Sequence, residues 1–170
     1  ADLEGRRLAI LRTAAMDDLS EEPASGFRQA VDILKDAGAT VEDITVPVLE
    51  DAMPLSGCLF TAEAYGEWRD VIEADPDAMY SEVLERFRLG KSHSGPDYVA
   101  AWKKLAEIRQ DFARAVSEYD AVILPTVPIL PPKLERLETE HDYYVSANLL
   151  TLRNTRIGNL MGMCAITLPT

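Results

Sequence analysis

Apolar residues follow two different spacings along the chain, and the changes of spacing mark the predicted elements. Short apolar, β-branched runs at residues 6–11, 40–47 and 121–124 are typical of strands. Longer stretches place apolar residues three and four positions apart, as one buried helix face requires. Helices are predicted at residues 20–37, 79–89, 96–116 and 143–160, with one or two helices over residues 49–69 and a last strand at residues 164–168.

The first two strands and the helix between them form a β-α-β unit. Ser20 is expected to cap this helix with its hydroxyl, and Gly38 follows its end. Because a helical crossover joins the two strands, they are predicted to be parallel. The pattern predicts a single α/β domain over residues 1–170, with a mixed, mostly parallel sheet flanked by helices.

Residues 120–132 are predicted to be the segment around which the chain is organised. The run from Ala121 to Leu124 is predicted to be a strand buried on both faces. It is followed by a proline-rich loop, which cannot continue the hydrogen bonds between strands. Ligands of open α/β sheets bind just beyond the carboxyl ends of strands, so Pro125 and Thr126 are candidate substrate-binding residues. A proline-rich connector without any ligand contact is the equally open alternative.

The excess of acidic residues limits the kinds of partner that the protein is expected to bind. Seventeen basic and 29 acidic residues give a net charge of −12, which disfavours non-specific binding to nucleic acid or anionic membranes. Cys58 and Cys164 have neither a disulfide nor a zinc spacing, which fits a reducing cytoplasm. We therefore expect a cytoplasmic protein without a metal or cofactor. The chain lacks an initiator methionine and stops after a predicted strand, so a fragment of a larger domain is expected.

Two polar segments invite a catalytic interpretation. The Gly90-Lys91-Ser92 sequence imitates a phosphate-binding loop, but Glu85 stands where that motif needs glycine. The mismatch therefore favours the interpretation of residues 90–95 as a solvated loop. His141 lies among acidic residues without metal-ligand spacing, which favours an exposed acidic loop. No self-contained catalytic set is visible in the sequence.

Arg86 and Arg88 flank Phe87 on a predicted helix. A planar guanidinium with five donors is suited to binding a carboxylate or carbonyl group. Surface salt bridges to Glu82 or Glu85 are the favoured alternative.

The C-terminal residues 154–169 resemble the last conserved segment of the amidase signature family, Asn-x-x-Gly-x-Pro-Ala-x-x-x-Pro. The matching positions are Asn159, Gly162, Ala165 and Pro169, and Cys164 replaces the usual proline. Residues 3–10 are similar to the family's Leu-x-Gly-x-Arg-Ile-Gly strand, and residues 34–41 resemble its Leu-x-x-x-Gly-Ala-x-Val. The resemblance covers nearly the whole chain.

The resemblance implies an α/β/α serine hydrolase that splits carboxamides with a Ser–cis-Ser–Lys triad. That triad belongs to a Gly/Ser-rich signature, and no such stretch occurs in this sequence, so no catalytic residue is assigned. The resemblance implies that Arg86 holds a substrate carboxylate, as in amidotransferase-like members, and that the Pro125–Thr126 exit lies near the site. The substrate would be a small-molecule amide bound jointly with a missing N-terminal half.

Two functions stay open at this point. The chain is either the C-terminal part of an amidase, inactive alone, or a non-catalytic truncated amidase-fold module. The second would act through binding or as a homodimer, because removal of a covering half exposes an apolar face.

Overall fold

Residues 2–169 are described by a computed structural model, in which three strands form a parallel sheet. The strands are β1 (Arg7–Leu11), β2 (Thr40–Ile44) and β3 (Ala121–Ile123), in the order β2-β1-β3. The predicted parallel β-α-β unit is confirmed, with Leu8 of β1 opposite Val41 and Ala121.

The central strand is β1, and this corrects the prediction for residues 120–132. Four consecutive residues of β1 are buried, whereas Ala121 in β3 is exposed and Val122 is only half-buried. β1 forms ladders on both sides, whereas β3 has a single strand partner among residues 2–169. An apolar run of four residues predicts a strand, but its place in the sheet depends on pairing with distant segments.

The helices surround this sheet. They are α1 (Glu21–Asp36), α2 (Val48–Ala52), α3 (Leu55–Ile72), α4 (Ser81–Arg88), α5 (Gly95–Ala115), α6 (Leu134–Thr139), α7 (His141–Thr151) and α8 (Arg153–Met161). Short 3-10 helices occupy Pro76–Ala78 and Leu89–Ser92. In the part of the chain that is described, no helix combines the length and the apolar character needed to span a membrane.

Four local predictions need correction. The helix predicted over residues 143–160 is two helices, α7 and α8, joined at Leu152. The acidic loop expected around His141 is largely helical, because Leu134–Thr139 form α6 and His141 begins α7. Ser20 precedes α1, but its hydroxyl makes no capping bond. Residues 164–168 are exposed and do not form a strand, because no described segment pairs with them.

The hydrophobic core lies between the carboxyl end of β1 and helices α2, α3, α5 and α8. Leu105 and Ile108 of α5 are each 1% exposed, and Leu160 of α8 packs in the same cluster. Arg109, one residue further along α5, donates through Nε to the carbonyl of Leu160 at 2.6 Å. The core thereby fixes α8, which carries several of the polar residues described next.

Candidate functional site

The loops that leave β1 and β3 meet at one buried side chain, Asn154 of α8. It is 2% exposed, and its Nδ2 donates to the carbonyls of Ala15 at 2.9 Å and Pro125 at 2.8 Å. Since β1 and β3 are parallel, both loops leave the same edge of the sheet, where α/β proteins bind ligands. Asn154 therefore joins the loop that follows β1 to the loop that follows β3.

Arg153 supports the same junction. Its Nε donates to Asn154 Oδ1 at 3.2 Å, and its Nη2 donates to the carbonyl of Asp17. The loop after β1 contains Ala14 and Asp18 with left-handed φ values of 58° and 47°, a conformation that needs support from neighbours. Arg153 and Asn154 thus fix the loop in one arrangement.

Sequence reasoning missed Arg153 and Asn154. A signal was present, because Asn154 precedes the buried Ile157 by three residues and so lies on the apolar stripe of its helix. A polar residue at such a position needs hydrogen-bond partners inside the fold.

The predicted wall residues Pro125 and Thr126 differ in exposure. Pro125 is buried, whereas Thr126 is exposed and donates through its hydroxyl to that of Thr167 at 3.3 Å. Pro128, further along the loop, is fully buried, and its carbonyl accepts from the backbone N–H of Ser20 at 2.8 Å. Hydrogen bonds to the carbonyls of Pro125 and Pro128 therefore hold the loop in place, and Thr126 lies exposed between these two residues.

Arg86 does not form the surface salt bridges that the sequence favoured. Its Nη2 donates to Oδ1 of Asn148 on α7 at 2.8 Å. The two expected acidic partners are engaged elsewhere, Glu82 with His141 at 2.9 Å and Glu85 with Arg88 at 3.2 Å. The salt-bridge alternative for Arg86 is therefore wrong.

Arg156 of α8 is a second arginine in this region that sequence reasoning did not single out. Burial lowers the pKa of its guanidinium, and the positive charge of Arg86 lowers that pKa further. Arg156 is thus a half-buried cation on α8.

The predicted site residues form two parts. In residues 2–169 no hydrogen bond joins Arg86 to Pro125 or Thr126. Each part is bonded instead to the α7–α8 pair, Arg86 to Asn148 and Pro125 to Asn154. These two helices connect the carboxylate-binding candidate with the loop at the sheet edge.

Residues 90–95, expected to form a solvated loop, are mostly exposed, but Leu89–Ser92 is a 3-10 helix in which Gly90 is buried. Lys91 pairs with Glu73 at 2.8 Å, and Ser92 donates to the carbonyl of Leu89. Ser94 and Asp97 form a reciprocal capping box at the start of α5, a Ser-x-x-Asp signal that the sequence reasoning overlooked.

His141 also has an ordinary partner. Its hydrogen bond to Glu82, together with the charge of that carboxylate, raises the pKa of the imidazole. Among residues 2–169 no group of acidic, histidine and cysteine side chains could hold a metal.

Two open grooves lie away from these residues. One, of about 300 Å³, lies between α1 and the sheet and includes Arg12, Arg28 and Asp43 in its lining. Another, of about 390 Å³, lies between α3 and the start of α5. Neither is lined by Arg86, Pro125 or Thr126, so neither marks the predicted site.

The family model described as Amidase matches residues 1–170. The chain belongs to the amidase family. This confirms the resemblance seen in the C-terminal motif, and the parallel sheet flanked by helices is the amidase arrangement seen in the solved structures that it matches.

Curated relatives of this amidase-family chain include enzymes with different names. The 2-amino-5-chloromuconic acid deaminase of Comamonas testosteroni is 29% identical over 98% of the chain and 36% of its own length. A glutamyl-tRNA(Gln) amidotransferase subunit from Exiguobacterium sp. is 29% identical over 99% of the chain and 39% of its length. The chain thus spans little more than a third of these relatives.

Solved structures show the same fold. An allophanate hydrolase of Kluyveromyces lactis with an S177A substitution superposes with a TM-score of 0.78 at 24% identity, covering 92% of the chain and 25% of that protein. A 6-aminohexanoate cyclic dimer hydrolase superposes with a TM-score of 0.75 at 20% identity, covering 95% of the chain and 37% of that protein.

Proposed function

We propose that this chain is the C-terminal portion of an amidase-type serine hydrolase that cleaves carboxamide C–N bonds. The observation that carries the proposal is the family match over residues 1–170 in a chain that spans 36% of the deaminase relative. The products are a carboxylic acid and ammonia or an amine.

The chemistry divides between two parts of the whole protein. A serine hydroxyl attacks the amide carbon, the C–N bond breaks, and the protonated nitrogen leaves; water then hydrolyses the acyl-enzyme. The Ser–cis-Ser–Lys triad implied by the family requires a Gly/Ser-rich signature that residues 1–170 do not contain. This chain by itself is therefore expected to be inactive, and it contributes substrate-binding residues.

Arg86 is the proposed carboxylate-binding residue. Its guanidinium is half-buried, is oriented by Asn148 and has no acidic partner in residues 2–169. Pro125 and Thr126 form the proposed wall, held in place by Asn154. An amide that carries a carboxylate and contacts both parts fits this division.

The proposed partners follow from the same assignment. The substrate is a small-molecule amide, bound together with an N-terminal half that carries the triad. Neither nucleic acid nor a membrane is a direct partner, the reaction needs no cofactor, and the location is the cytoplasm. One relative is named as part of a glutamyl-tRNA(Gln) amidotransferase, so an additional protein chain is a reasonable partner to look for.

The test measures ammonia release from succinamate by the whole protein and, separately, by residues 1–170. The whole protein should release ammonia, and a sulfonyl fluoride should abolish the release by transferring its sulfonyl group, with loss of HF, to one serine outside residues 1–170. Residues 1–170 alone should be inert. Activity that resists the inhibitor, or a labelled serine within this chain, would contradict the proposal.

A second candidate is a non-catalytic module that acts as a homodimer. It is favoured by the exposed apolar C-terminal segment, in which Ile166 is 83% and Leu168 67% exposed. Light scattering of residues 1–170 should then report a dimer that Ile166→Asp converts to a monomer. A monomer at all concentrations would exclude this candidate.

A further inference from the structure

The order of the strands places a crevice between β1 and β3. From β1 the chain crosses to β2 on one side, and from β2 it returns past β1 to β3 on the other side. The first crossing, α1, lies on the Ile10 face of the sheet, whereas the second contributes α2, α3 and α5 to the core on the Leu11 face. Neighbouring strands with such opposite connections leave a crevice beyond their carboxyl ends, where open α/β sheets bind ligands. The segments that leave these two ends are the β1 exit loop, residues 12–20, and the β3 exit loop, residues 124–128.

Two hydrogen-bonded links join the exit loops beside this crevice. The Asn154 amide donates to the carbonyl of Ala15 in the β1 exit loop and to that of Pro125 in the β3 exit loop, at 2.9 Å and 2.8 Å. The backbone N–H of Ser20 donates to the carbonyl of Pro128 at 2.8 Å. The loops are thus held side by side at two points, and Asn154 is the link that a side-chain substitution can remove.

The β1 exit loop is held in a conformation that residues with a Cβ seldom adopt. Ala14 and Asp18 have left-handed φ values of 58° and 47°. Residues held in this way are concentrated where proteins bind ligands. Between the two links, the backbone N–H groups of Met16 and Asp18 have no backbone acceptor among residues 2–169, so they can donate to an oxygen atom of a ligand.

Accessible groups lie on both sides of the crevice, whereas the residue that joins the sides is buried. Asp17 and Asp18 of the β1 exit loop are exposed, and so is Thr126 of the β3 exit loop. Asn154 is 2% exposed and both of its donated bonds go to the loops. It can therefore influence a ligand only through the positions of these two loops.

We propose that the β1 exit loop is a second wall of the substrate-binding site, across the crevice from Pro125 and Thr126. Asn154 is the positioning residue that sets the distance between the two walls. The inference rests on the proposed amidase function for its substrate class, an amide. An amide carbonyl accepts hydrogen bonds, and the donors available on the two sides are the N–H groups of the β1 exit loop and the Thr126 hydroxyl.

The first measurement follows methyl groups of the two loops by NMR of the whole protein as butyramide is added. The serine that the sulfonyl fluoride modifies is replaced by alanine, so that the amide is not consumed. The methyl signals of Ala14 and Thr126 should both shift, with a single Kd. A shift at Thr126 without one at Ala14 would overturn the second wall, and so would the absence of both shifts.

The second measurement is the KM for butyramide in the active whole protein. Asn154→Asp keeps the size of the side chain but replaces the amide donor with carboxylate oxygens that face two carbonyls. The KM should rise about fivefold or more, with kcat within about twofold, because the two walls no longer keep their separation. Thr126→Val should raise the KM of the unchanged protein but not that of Asn154→Asp, since Asn154 acts through this wall.

Ile157→Val is the matched control, because it removes one methyl group from the same buried stripe of α8 and leaves the Asn154 side chain in place. It should lower the melting temperature without changing the KM. An equal rise of KM in this control, or an unchanged KM in Asn154→Asp, would overturn the positioning role. If Asn154→Asp does not fold, the methyl titration of Ala14 and Thr126 decides by itself, since it keeps Asn154.

These measurements are separable from the test of hydrolysis. If the whole protein releases no ammonia from any amide, no serine is replaced, and shifts at both Ala14 and Thr126 would support the two walls while the proposed function is refuted. Ammonia release from butyramide with neither methyl signal shifting would do the reverse.

Discussion

Arg86 and Arg88 lie two residues apart on α4, yet the fold surrounds them differently. Arg88 contacts Glu73 at 2.8 Å and Glu85 at 3.2 Å, and Lys91 reaches Glu73 as well. Arg86 instead donates to the amide oxygen of Asn148. Side chains two residues apart point to different sides of a helix, so Arg88 reaches Glu73 at the end of α3 whereas Arg86 faces α7.

The comparison separates an arginine paired with carboxylates from an arginine bonded to a neutral amide. The Glu73 cluster, defined as Glu73, Arg88 and Lys91, pairs its charges internally and joins the end of α3 to the turn after α4. Arg86 has no acidic partner in the described part of the chain, and Asn148 accepts its hydrogen bond instead. The same residue type on one helix thus pairs with carboxylates in one direction and with an amide in the other.

The largest effect is expected from Gly90→Ala, which disrupts the contact between the turn after α4 and helix α3. A Cβ at Gly90 would lie 2.1 Å from the carbonyl oxygen of Thr61 and 2.6 Å from Cβ of Tyr65, so the turn must move away from α3. We expect the free energy of unfolding to fall by about 3 kcal/mol, measured by urea denaturation. Gly95→Ala is the control, because its Cβ meets nothing within 4 Å. Equal stability of the two variants would contradict the close approach.

The next effect compares the two arginines directly. Arg86→Ala should raise the KM for succinamate about tenfold or more in the whole protein, because a charged hydrogen bond to the carboxylate is lost. Arg88→Ala should leave this KM within about twofold, since Arg88 is held by Glu73 and Glu85. Butyramide, the neutral analogue, should show no difference between the variants. An unchanged KM in Arg86→Ala for every carboxylate-bearing amide tried would refute the role of Arg86.

The smallest expected effect is the loss of stabilisation by the Glu73 cluster at acid pH. Hydrogen bonds from Arg88 and then Lys91 lower the pKa of Glu73 from 4.5 to about 2. Because this pKa is depressed in the folded state, the stabilisation is present above about pH 4.5 and is lost as the pH falls towards 2. Carboxyl NMR titration should show Glu73 ionised at pH 3.5, and Arg88→Ala should raise its pKa. A midpoint near 4.5 in the unchanged protein would show that the cluster is not formed in solution.

The elements and the site were predictable to different extents. The spacing of Leu105, Ile108 and Phe112 predicted α5, and the β-α-β crossover predicted the parallel pair, because both follow from neighbouring residues. Residues 164–168 have an apolar strand pattern and remain exposed coil, because a strand also needs a partner that lies alongside it. Arg86 was identified from the sequence, but its favoured partners were the nearby Glu82 and Glu85, whereas the fold supplies Asn148.

By itself, the sequence determined the α/β class, most of the helices, the parallel β-α-β unit and the resemblance to amidases. These are local or ordered patterns that a single chain displays directly. Only the tertiary structure decided that β1 is the central strand, that Asn154 joins the β1 and β3 exits, and that Arg86 has no acidic partner among residues 2–169. Asn154 and Ala15 are 139 residues apart, and Arg86 and Asn148 are 62 apart. Partners at such separations are determined by packing, because local spacing in the sequence does not predict which distant side chain will form a hydrogen bond.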